Sequence, residues 1–289
     1  MHLGIFAKTF NRSSLEAVLA AVAEHGFSTI QLNLSSAGLA TLPAAIDGAT
    51  IEWIGGCLDA YNLSVAAVSG TFNMAHPDTQ RRRDGLRGLE IVAGSCAAWG
   101  TSLITLCTGT RDVEDMWRAH PENNSEAAWN DLVTTLERAL SIADRHGVTL
   151  AFEPEQGNVV NSAAQAKRLL DKFPTPRLGV VLDPANLLAP SDLPSLREVI
   201  RDAIDLLGKN IVLAHAKDLT ASGVTGAIPP GRGVMDFGYF FAQLQQAKFR
   251  GAIIAHGLEE NAVDKARAFL QEQLKNVETD KPKSMSSGA

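Results

Sequence analysis

The sequence predicts an α/β fold, a single (β/α)8 TIM barrel with parallel strands and an active site at its carboxyl-terminal face. Two observations predict this class. Eight short apolar runs alternate with helical patterns along the whole chain. The length of 289 residues also matches one such barrel, and no domain-sized linker divides it.

The apolar runs have the length and composition of buried β-strands. Several are apolar at consecutive positions rather than at alternate ones, which is typical of parallel strands covered on both faces. The predicted strands are 3–6, 29–34, 64–69, 103–107, 148–153, 178–183, 211–216 and 251–256.

Helical periodicity fills the segments between these strands, with apolar residues three and four positions apart. Three Ser-x-x-Glu or Ser-x-x-Gln patterns predict helix starts at Ser13, Ser162 and Ser195. Glycines that precede the next strand predict helix ends at Gly26, Gly100, Gly147 and Gly208.

An open, doubly wound sheet is the alternative architecture for alternating strands and helices. It is disfavoured because no Gly-x-Gly-x-x-Gly turn follows the first strand. We therefore assign residues 1–276 to the barrel. The polar, Pro- and Ser-containing segment 277–289 is predicted to be a disordered tail.

Composition excludes several classes of function. A formal net charge of −6 provides no basic surface for nucleic acid or for an anionic membrane. No apolar run is long enough to span a membrane, and the N-terminus does not resemble a signal peptide. The three cysteines form neither a metal motif nor a disulfide framework, so we expect a reducing, cytoplasmic setting.

Ionisable residues end or nearly end the last four predicted strands, namely Glu153, Asp183, His215 and His256. At the carboxyl end of a barrel these side chains would point toward a common centre. Two carboxylates and two imidazoles suit a divalent cation such as Mn²⁺, Zn²⁺, Co²⁺ or Fe²⁺. Taken singly, an acid at a strand end is more often a helix cap or loop anchor, and a lone histidine late in a strand is more often a hydrogen-bonded core residue.

Other polar residues follow strands on the same side and are candidates for substrate binding: Lys8, His76, Arg111, His120 and Arg232. Arg111 ends a Thr-Gly-Thr-Arg turn that can hold a carboxylate or phosphate, or can be a tight turn with a surface arginine. His76 and His120 lie in loops, where contact with substrate and simple loop anchoring are both open. Arg232 lies in a Pro-Gly-Arg-Gly segment after the seventh strand, where barrels often bind phosphate.

Glu155 lies two residues beyond Glu153, with Pro154 between them. An extended chain would place both acids on one side, whereas the proline can redirect the second. Glu155 is therefore either an acid–base group or an anchor for the residues that surround the metal. Lys217 and Asp218 directly follow the seventh-strand histidine and are interpreted as a structural pair.

The chain resembles the xylose isomerase-like barrel superfamily, in its sugar phosphate isomerase/epimerase branch. The resemblance covers about residues 3–275 and depends on the order of five motifs. These are FEPE at 152–155, VVLDPANLL at 180–188, LAHAKDL at 213–219, PGRGVMDFG at 230–238 and GAIIAH at 251–256. It implies one divalent metal, Mg²⁺ included, held by the residues at 153, 183, 215 and 256.

The sequence departs from this family at two positions. The resemblance implies a glutamate at position 256 and a histidine at position 186, where this chain has His256 and Asn186. His256 can bind a metal but cannot act as a second carboxylate, and Asn186 can bind substrate but cannot titrate. A metal-dependent isomerase or epimerase of a small carbohydrate, acting through an enediolate with Glu153 or Glu155 as base, is the leading hypothesis.

Two alternatives stay open at this point. A dehydratase or lyase would use the same enolate chemistry, and a non-catalytic barrel would bind a sugar-like ligand without reaction. A DNA endonuclease of the same superfamily is disfavoured by the acidic charge and by the few metal-ligand residue types on strands two to four. The oligomeric state is open, a homo-oligomer included.

Overall fold

The computed structural model describes residues 1–279 and forms one closed barrel of eight parallel strands. Each strand pairs with the next along the chain, and the first pairs with the last in the register His2↔Ala252 to Ile5↔Ala255. The predicted fold class is confirmed. The strands are β1 His2–Phe6, β2 Thr29–Leu32, β3 Ser64–Ser69, β4 Leu103–Cys107, β5 Thr149–Glu153, β6 Leu178–Leu182, β7 Ile211–Ala216 and β8 Ala252–Ala255.

A ring of helices surrounds the barrel, one after each strand. They are α1 Leu15–Glu24, α2 Gly48–Ala60, α3 Thr79–Ser95, α4 Glu126–His146, α5 Ala163–Lys172, α6 Leu196–Leu207, α7 Phe237–Gln246 and α8 Val263–Thr279. Short 3-10 turns occupy several of the loops at the carboxyl ends of the strands, among them Ala7–Thr9 and Pro184–Leu187.

The predicted helix boundaries hold with several corrections. Ser195 precedes α6 as predicted, but its side chain makes no capping hydrogen bond. Gly100 ends the 3-10 turn Cys96–Trp99, which follows α3. The cap of α1 is Ser14, whose hydroxyl accepts from the Ala17 amide, because Ser13 lies one residue outside the helix. Gly208 does not adopt the left-handed conformation of a helix-ending glycine but starts a 3-10 turn at φ −45°. Helix α8 continues to Thr279, past the predicted boundary at residue 276, because Val277 is buried. The remainder of the predicted tail lies outside the described residues.

The interior of the barrel determines where the polar residues lie. Phe6, Ala67, Ala151, Val181, Leu213, Ala252 and Ile254 form an apolar cluster inside the barrel. Side chains alternate between the two faces of a strand, so the residue two positions further on points the same way. On five of the strands that residue is polar and belongs to the carboxyl end: Ser69, Glu153, Asp183, His215 and His256.

The three cysteines are buried and free, as small core residues should be. Among residues 1–279, no helix is both long enough and apolar enough to cross a membrane.

Candidate active site

The strand ends enclose a cavity of about 440 Å³ at the mouth of the barrel. Its walls come from all around the barrel, because every strand delivers its last residues to the same face. Lining residues include Lys8, Asn33, Glu153, Glu155, Asn186, His215, Lys217 and His256.

Three of the predicted ligand residues present donor atoms to one point. One ligand atom from each of Asp183, His215 and His256 lies within 4.8 Å of the other two. Adjacent ligand atoms of one transition-metal ion lie about 3 to 3.5 Å apart, since each bond is about 2.1 Å. A small inward movement of the three side chains would therefore complete such a geometry.

Two atoms of this set are buried without a hydrogen-bond partner among the described residues, Asp183 Oδ2 and His256 Nδ1. Buried polar atoms are nearly always satisfied, so unsatisfied ones need an explanation such as an ion. Burial raises the pKa of Asp183 and, together with the nearby His215 and Lys217, lowers that of His256 well below its usual range. A divalent cation binds the ionised form of a carboxyl group and the neutral form of an imidazole, so it would counteract the shift at Asp183 and suit the shift at His256, and the donor set fits such an ion.

Glu153 contacts this set but is not one of the three converging donors. Its Oε1 accepts from Asn186 Nδ2 at 2.7 Å and lies 3.2 Å from His215 Nδ1. Burial alone would raise the pKa of Glu153, but the adjacent His215 and Lys217 outweigh it and lower the pKa. Within residues 1–279 its Oε2 forms no hydrogen bond, so this oxygen can approach a metal or a substrate.

Lys217 is part of the site, although the sequence did not predict it there. Its ammonium lies 3.1 Å from Asp183 Oδ2 and donates to Asn186 Oδ1, and the side chain is 7% exposed. Two glycines close over its aliphatic chain, because a Cβ on Gly257 would lie 3.0 Å from Lys217 Cγ and 2.9 Å from the Gly226 Cα. The ammonium is therefore fixed beside the carboxylate.

The predicted pairing of Lys217 with Asp218 is wrong. Asp218 is fully buried on the other side of the strand end and accepts from four backbone amides, those of Leu219, Gly231, Gly233 and Met235. These hydrogen bonds fix the loop between β7 and α7, which contains the Pro-Gly-Arg-Gly segment. Successive side chains at a strand end point in opposite directions, so the two neighbours have separate roles.

Glu155 reaches the cavity, and Pro154 does not turn it away. Its backbone is fixed by hydrogen bonds with Val160 and Asn158, while its carboxylate has no hydrogen-bond partner in the described part of the chain. Burial and the neighbouring Glu153 carboxylate raise the pKa of Glu155 to about 7. A group with such a pKa can both accept and release a proton near neutrality.

Gln31 fixes the orientation of the metal-site histidine from below. Its amide nitrogen donates to the hydroxyls of Ser69 and Thr105 at 2.9 and 3.0 Å. Its carbonyl oxygen therefore faces His215 Nε2 at 2.9 Å and favours a proton there. With Nε2 protonated, Nδ1, which lies 3.2 Å from Glu153 Oε1, is the nitrogen that can lose its proton and bind a metal.

Sequence reasoning missed Gln31 and Lys217, although a signal for each was present. Gln31 and Asn33 are polar residues at alternate positions of an otherwise apolar run, which places both on the inner face of β2. Lys217 follows His215 by two residues and so shares its direction. Met116 and the half-exposed Trp117, which also line the cavity, follow no strand-end pattern.

The structure brings Lys8 and Asn186 into the cavity but leaves four of the predicted substrate-binding residues outside it. His76 is buried, where its ring accepts from the Asp78 amide and donates to the Val113 carbonyl. Arg111 donates to the Ala75 carbonyl and pairs with Asp131 at 2.6 Å. These contacts anchor loops, so we withdraw both residues from the substrate-binding set.

His120 and Arg232 are also turned away from the cavity. His120 caps the 3-10 turn Pro121–Asn124 by accepting from the Glu122 amide. Arg232 is exposed and borders a separate cleft beside Phe269. The loop that carries Arg232 is directed outward by its hydrogen bonds to Asp218, and we withdraw these two residues as well.

The structure is a closed parallel barrel in which a carboxyl group and two imidazoles converge at the mouth, the face where barrels of this class place their active sites. A family model described as xylose isomerase-like TIM barrel matches residues 19–273, and the chain belongs to that family. No curated protein matches the chain by sequence.

Solved structures share the fold at low sequence identity. A 3-keto-D-glucoside 4-epimerase from E. coli aligns with a TM-score of 0.75 and 17% identity, over 94% of this chain and 99% of that one. An IOLI protein, solved with a zinc atom, aligns at 0.72 and 18% identity over 96% and 98%. A xylose isomerase-like TIM barrel protein from Mycobacterium smegmatis, in complex with magnesium, aligns at 0.71 and 14% over 96% and 97%.

Proposed function

We propose that the protein is a metal-dependent isomerase or epimerase of a small sugar or sugar derivative. The observation that carries the proposal is the convergence of Asp183, His215 and His256 at the mouth of a family-typical barrel, where His256 Nδ1 is buried without a partner among the described residues. The E. coli neighbour, whose name is that of a sugar epimerase, supports the same class of reaction.

In this proposal Asp183, His215 and His256 hold one divalent cation, and Glu153 becomes the fourth ligand through its free Oε2. The cation is Mn²⁺, Zn²⁺, Co²⁺, Fe²⁺ or Mg²⁺, and it supplies Lewis acidity toward the carbonyl and hydroxyl oxygens of the sugar. Gln31 keeps the His215 ring in the required tautomer, and Asn186 keeps the Glu153 carboxylate in place.

Glu155 moves the proton. Its carboxylate lines the cavity and has no hydrogen-bond partner among the described residues, so it can accept the hydrogen from a carbon next to the carbonyl. The same carboxylate returns the proton to the former carbonyl carbon, while the proton of the adjacent hydroxyl passes to the former carbonyl oxygen, so that carbonyl and hydroxyl exchange places. Because position 256 supplies an imidazole instead of a carboxylate, a one-base aldose–ketose isomerisation is the form of the reaction that the site favours.

Hydrogen exchange tests the proposal directly. The metal-loaded protein is incubated in D₂O with a panel of aldoses, ketoses and inososes, and deuterium at carbon is followed by NMR. We expect exchange with at least one member, and we expect Glu155→Gln to abolish it by more than about 100-fold while metal content stays unchanged. Glu272→Gln, an exposed site on α8, is the matched control and should behave as wild type.

The same experiment separates the two alternatives. Irreversible formation of a dehydrated product would indicate a dehydratase or lyase. Ligand binding without exchange at any carbon-bound hydrogen would indicate a non-catalytic sugar-binding barrel. Absence of a bound metal after expression with each of the five cations would contradict the proposal.

A further inference from the structure

Charge is distributed unevenly around the cavity. The carboxylates that line it, Glu153 and Glu155, belong to β5 and its following loop, and Asp183 lies beside them at the end of β6. The opposite wall is formed by the ends of β1 and β2 and contributes no acidic side chain. Its lining residues are Lys8, Gln31, Asn33, Ser35 and Thr41.

Lys8 differs from the other lysine of the cavity in having no partner. Lys217 is paired with Asp183 and donates to Asn186. The Lys8 ammonium, within residues 1–279, forms no hydrogen bond or ion pair, and its nearest described aromatic contact is the Phe6 ring at 5.0 Å from the centroid. Phe6 in turn packs on His256 and His215, at centroid distances of 4.6 and 5.2 Å. Lys8 itself is exposed, so its ammonium lies at the rim of the cavity, on the side of Phe6 and the converging donors.

A buried acceptor lies beside this lysine on the same wall. Asn33 is 7% exposed, its amide nitrogen donates to Ser69, and its Oδ1 is buried without a partner in the described chain. Such an atom is costly unless a ligand or water donates to it. A hydroxyl group of a bound polyol would satisfy it, next to a cation that would hold an anion.

The charge balance of the site with a divalent cation bound also favours an anionic ligand. Two lysines and a divalent cation carry four positive charges, against three on Glu153, Glu155 and Asp183 when all are ionised. The imbalance arises because His256 is a neutral ligand. In a partly buried site an uncompensated positive charge favours an anionic ligand.

From these observations we infer that the substrate is an anionic sugar derivative, carrying a carboxylate or a phosphate, and that Lys8 binds its charged group while Asn33 accepts from a hydroxyl. The inference rests on the proposed function. β1 lies across the barrel from β5, so a substrate whose reacting carbon lies near Glu155 would extend its other end toward Lys8.

The test compares substrates that differ in one group. For each stereochemical series of ketohexoses, the neutral sugar, its 6-carboxylate and its 6-phosphate are offered to the metal-loaded protein. KM and kcat are measured by hydrogen exchange, and affinity is measured by calorimetry. We expect one anionic member to bind at least about tenfold more tightly than its neutral partner, because a charge-assisted hydrogen bond contributes that much. The anion that binds more tightly, the carboxylate or the phosphate, identifies the class of substrate.

Lys8→Met should raise KM for the preferred anion by about 10- to 100-fold and leave kcat within about twofold, and Lys8→Arg should restore most of the affinity. The neutral sugar lacks the anionic group, so its KM should change by a much smaller factor than that of the anion. Lys209→Met removes the same charge at the opposite end of the barrel, beside the start of β7, and should have no effect.

The two proposals fail in different ways. Suppose that neutral sugars bind and exchange hydrogen as well as the anions do, and that Lys8→Met behaves like wild type. This result would overturn the inference of an anionic substrate and leave the proposed isomerase function intact. Lys8-dependent binding of an anion without any exchange would support the anionic ligand and contradict the isomerase. Failure of every anion to bind would overturn the inference.

Discussion

Two groups of polar residues follow strands at the same end of this barrel, and they make different kinds of contact. After β3 and β4, side chains are engaged in holding loops together. Asp131 pairs with both Arg82 and Arg111, and His76 bridges two loop backbones. Among the described side-chain atoms of Arg82, Arg111, Asp131 and His76, only Arg111 Nε is buried without a hydrogen-bond partner.

After β5 to β8, the side chains converge on one another instead. Asp183, His215 and His256 bring donor atoms together, and among residues 1–279 His256 Nδ1 has no partner while Asp183 Oδ2 has only the Lys217 ammonium. Glu155 and Lys8 complete the contrast, since each faces the cavity with an unpaired charged group. A polar residue at a strand end is thus better judged by the partners it lacks than by its position along the chain.

The contrast between the two regions is tested first at Asp183, where a substitution should have the largest effect on metal affinity. Asp183→Asn should lower the affinity for a divalent cation by more than about 100-fold, since loss of even an outer hydrogen-bond partner costs 10- to 100-fold. The amide removes the charge, and the fixed Lys217 ammonium then repels the cation. Calorimetric titration of the apoprotein with Zn²⁺ and Mn²⁺ measures it.

Asp236→Asn is the matched control for this substitution. Asp236 caps α7 by accepting from the Tyr239 amide, and an asparagine can do the same outside the cavity. Its metal affinity should equal that of wild type. Wild-type affinity in Asp183→Asn would show that the converging donors do not hold the metal.

In the β3–β4 region the corresponding substitution should act on stability alone. Asp131→Asn leaves the guanidinium groups of Arg82 and Arg111, which are 9% and 12% exposed, without their carboxylate. We expect the free energy of unfolding to fall by about 3 kcal/mol, the lower end for a broken buried pair, because Asp131 itself is partly exposed. Urea denaturation measures this loss, and metal affinity should be unchanged.

The control for Asp131 is Asp84→Asn on α3, where both partners of the ion pair with Arg87 are exposed. Exposed pairs contribute at most about 1 kcal/mol, so its stability should be close to wild type. A fall in metal affinity in Asp131→Asn would mean that the loop scaffold and the metal site are not independent.

The sequence was sufficient for the barrel and for the strand-end residues, because both follow from local patterns. Apolar runs reveal buried strands, and an ionisable group that ends such a run has to lie at the carboxyl face. Glu153, Asp183, His215 and His256 all lie there, as predicted.

The positions and contacts of loop side chains could not be predicted in this way. Arg111 follows β4 by only a few residues, yet its direction depends on Asp131, which belongs to a helix twenty positions further along the chain. The same holds for Lys217, whose partners Asp183 and Asn186 come from the neighbouring β6 end. Such pairings are set by tertiary contacts, which leave no local pattern in the sequence.

Gln31 offers the finest test of the contrast, because it is a fully bonded residue that acts on the metal site through His215. Gln31→Leu keeps the side-chain volume close to the original and removes the acceptor for the Nε2 proton. The imidazole then loses its preferred tautomer, so fewer molecules present the Nδ1 lone pair to a cation. We expect metal affinity to fall by about 10- to 100-fold.

Imidazole ¹⁵N chemical shifts provide a readout that a merely structural role would not change. In the wild-type apoprotein Nε2 of His215 should carry a proton, whereas in Gln31→Leu the proton should reside on Nδ1, beside the Glu153 carboxylate. Gln80→Leu, at an exposed position on α3, is the control and should alter neither the shifts nor the affinity. If Gln31→Leu kept the wild-type tautomer and affinity, the residues bonded around the metal site would resemble the β3–β4 scaffold in serving the fold alone.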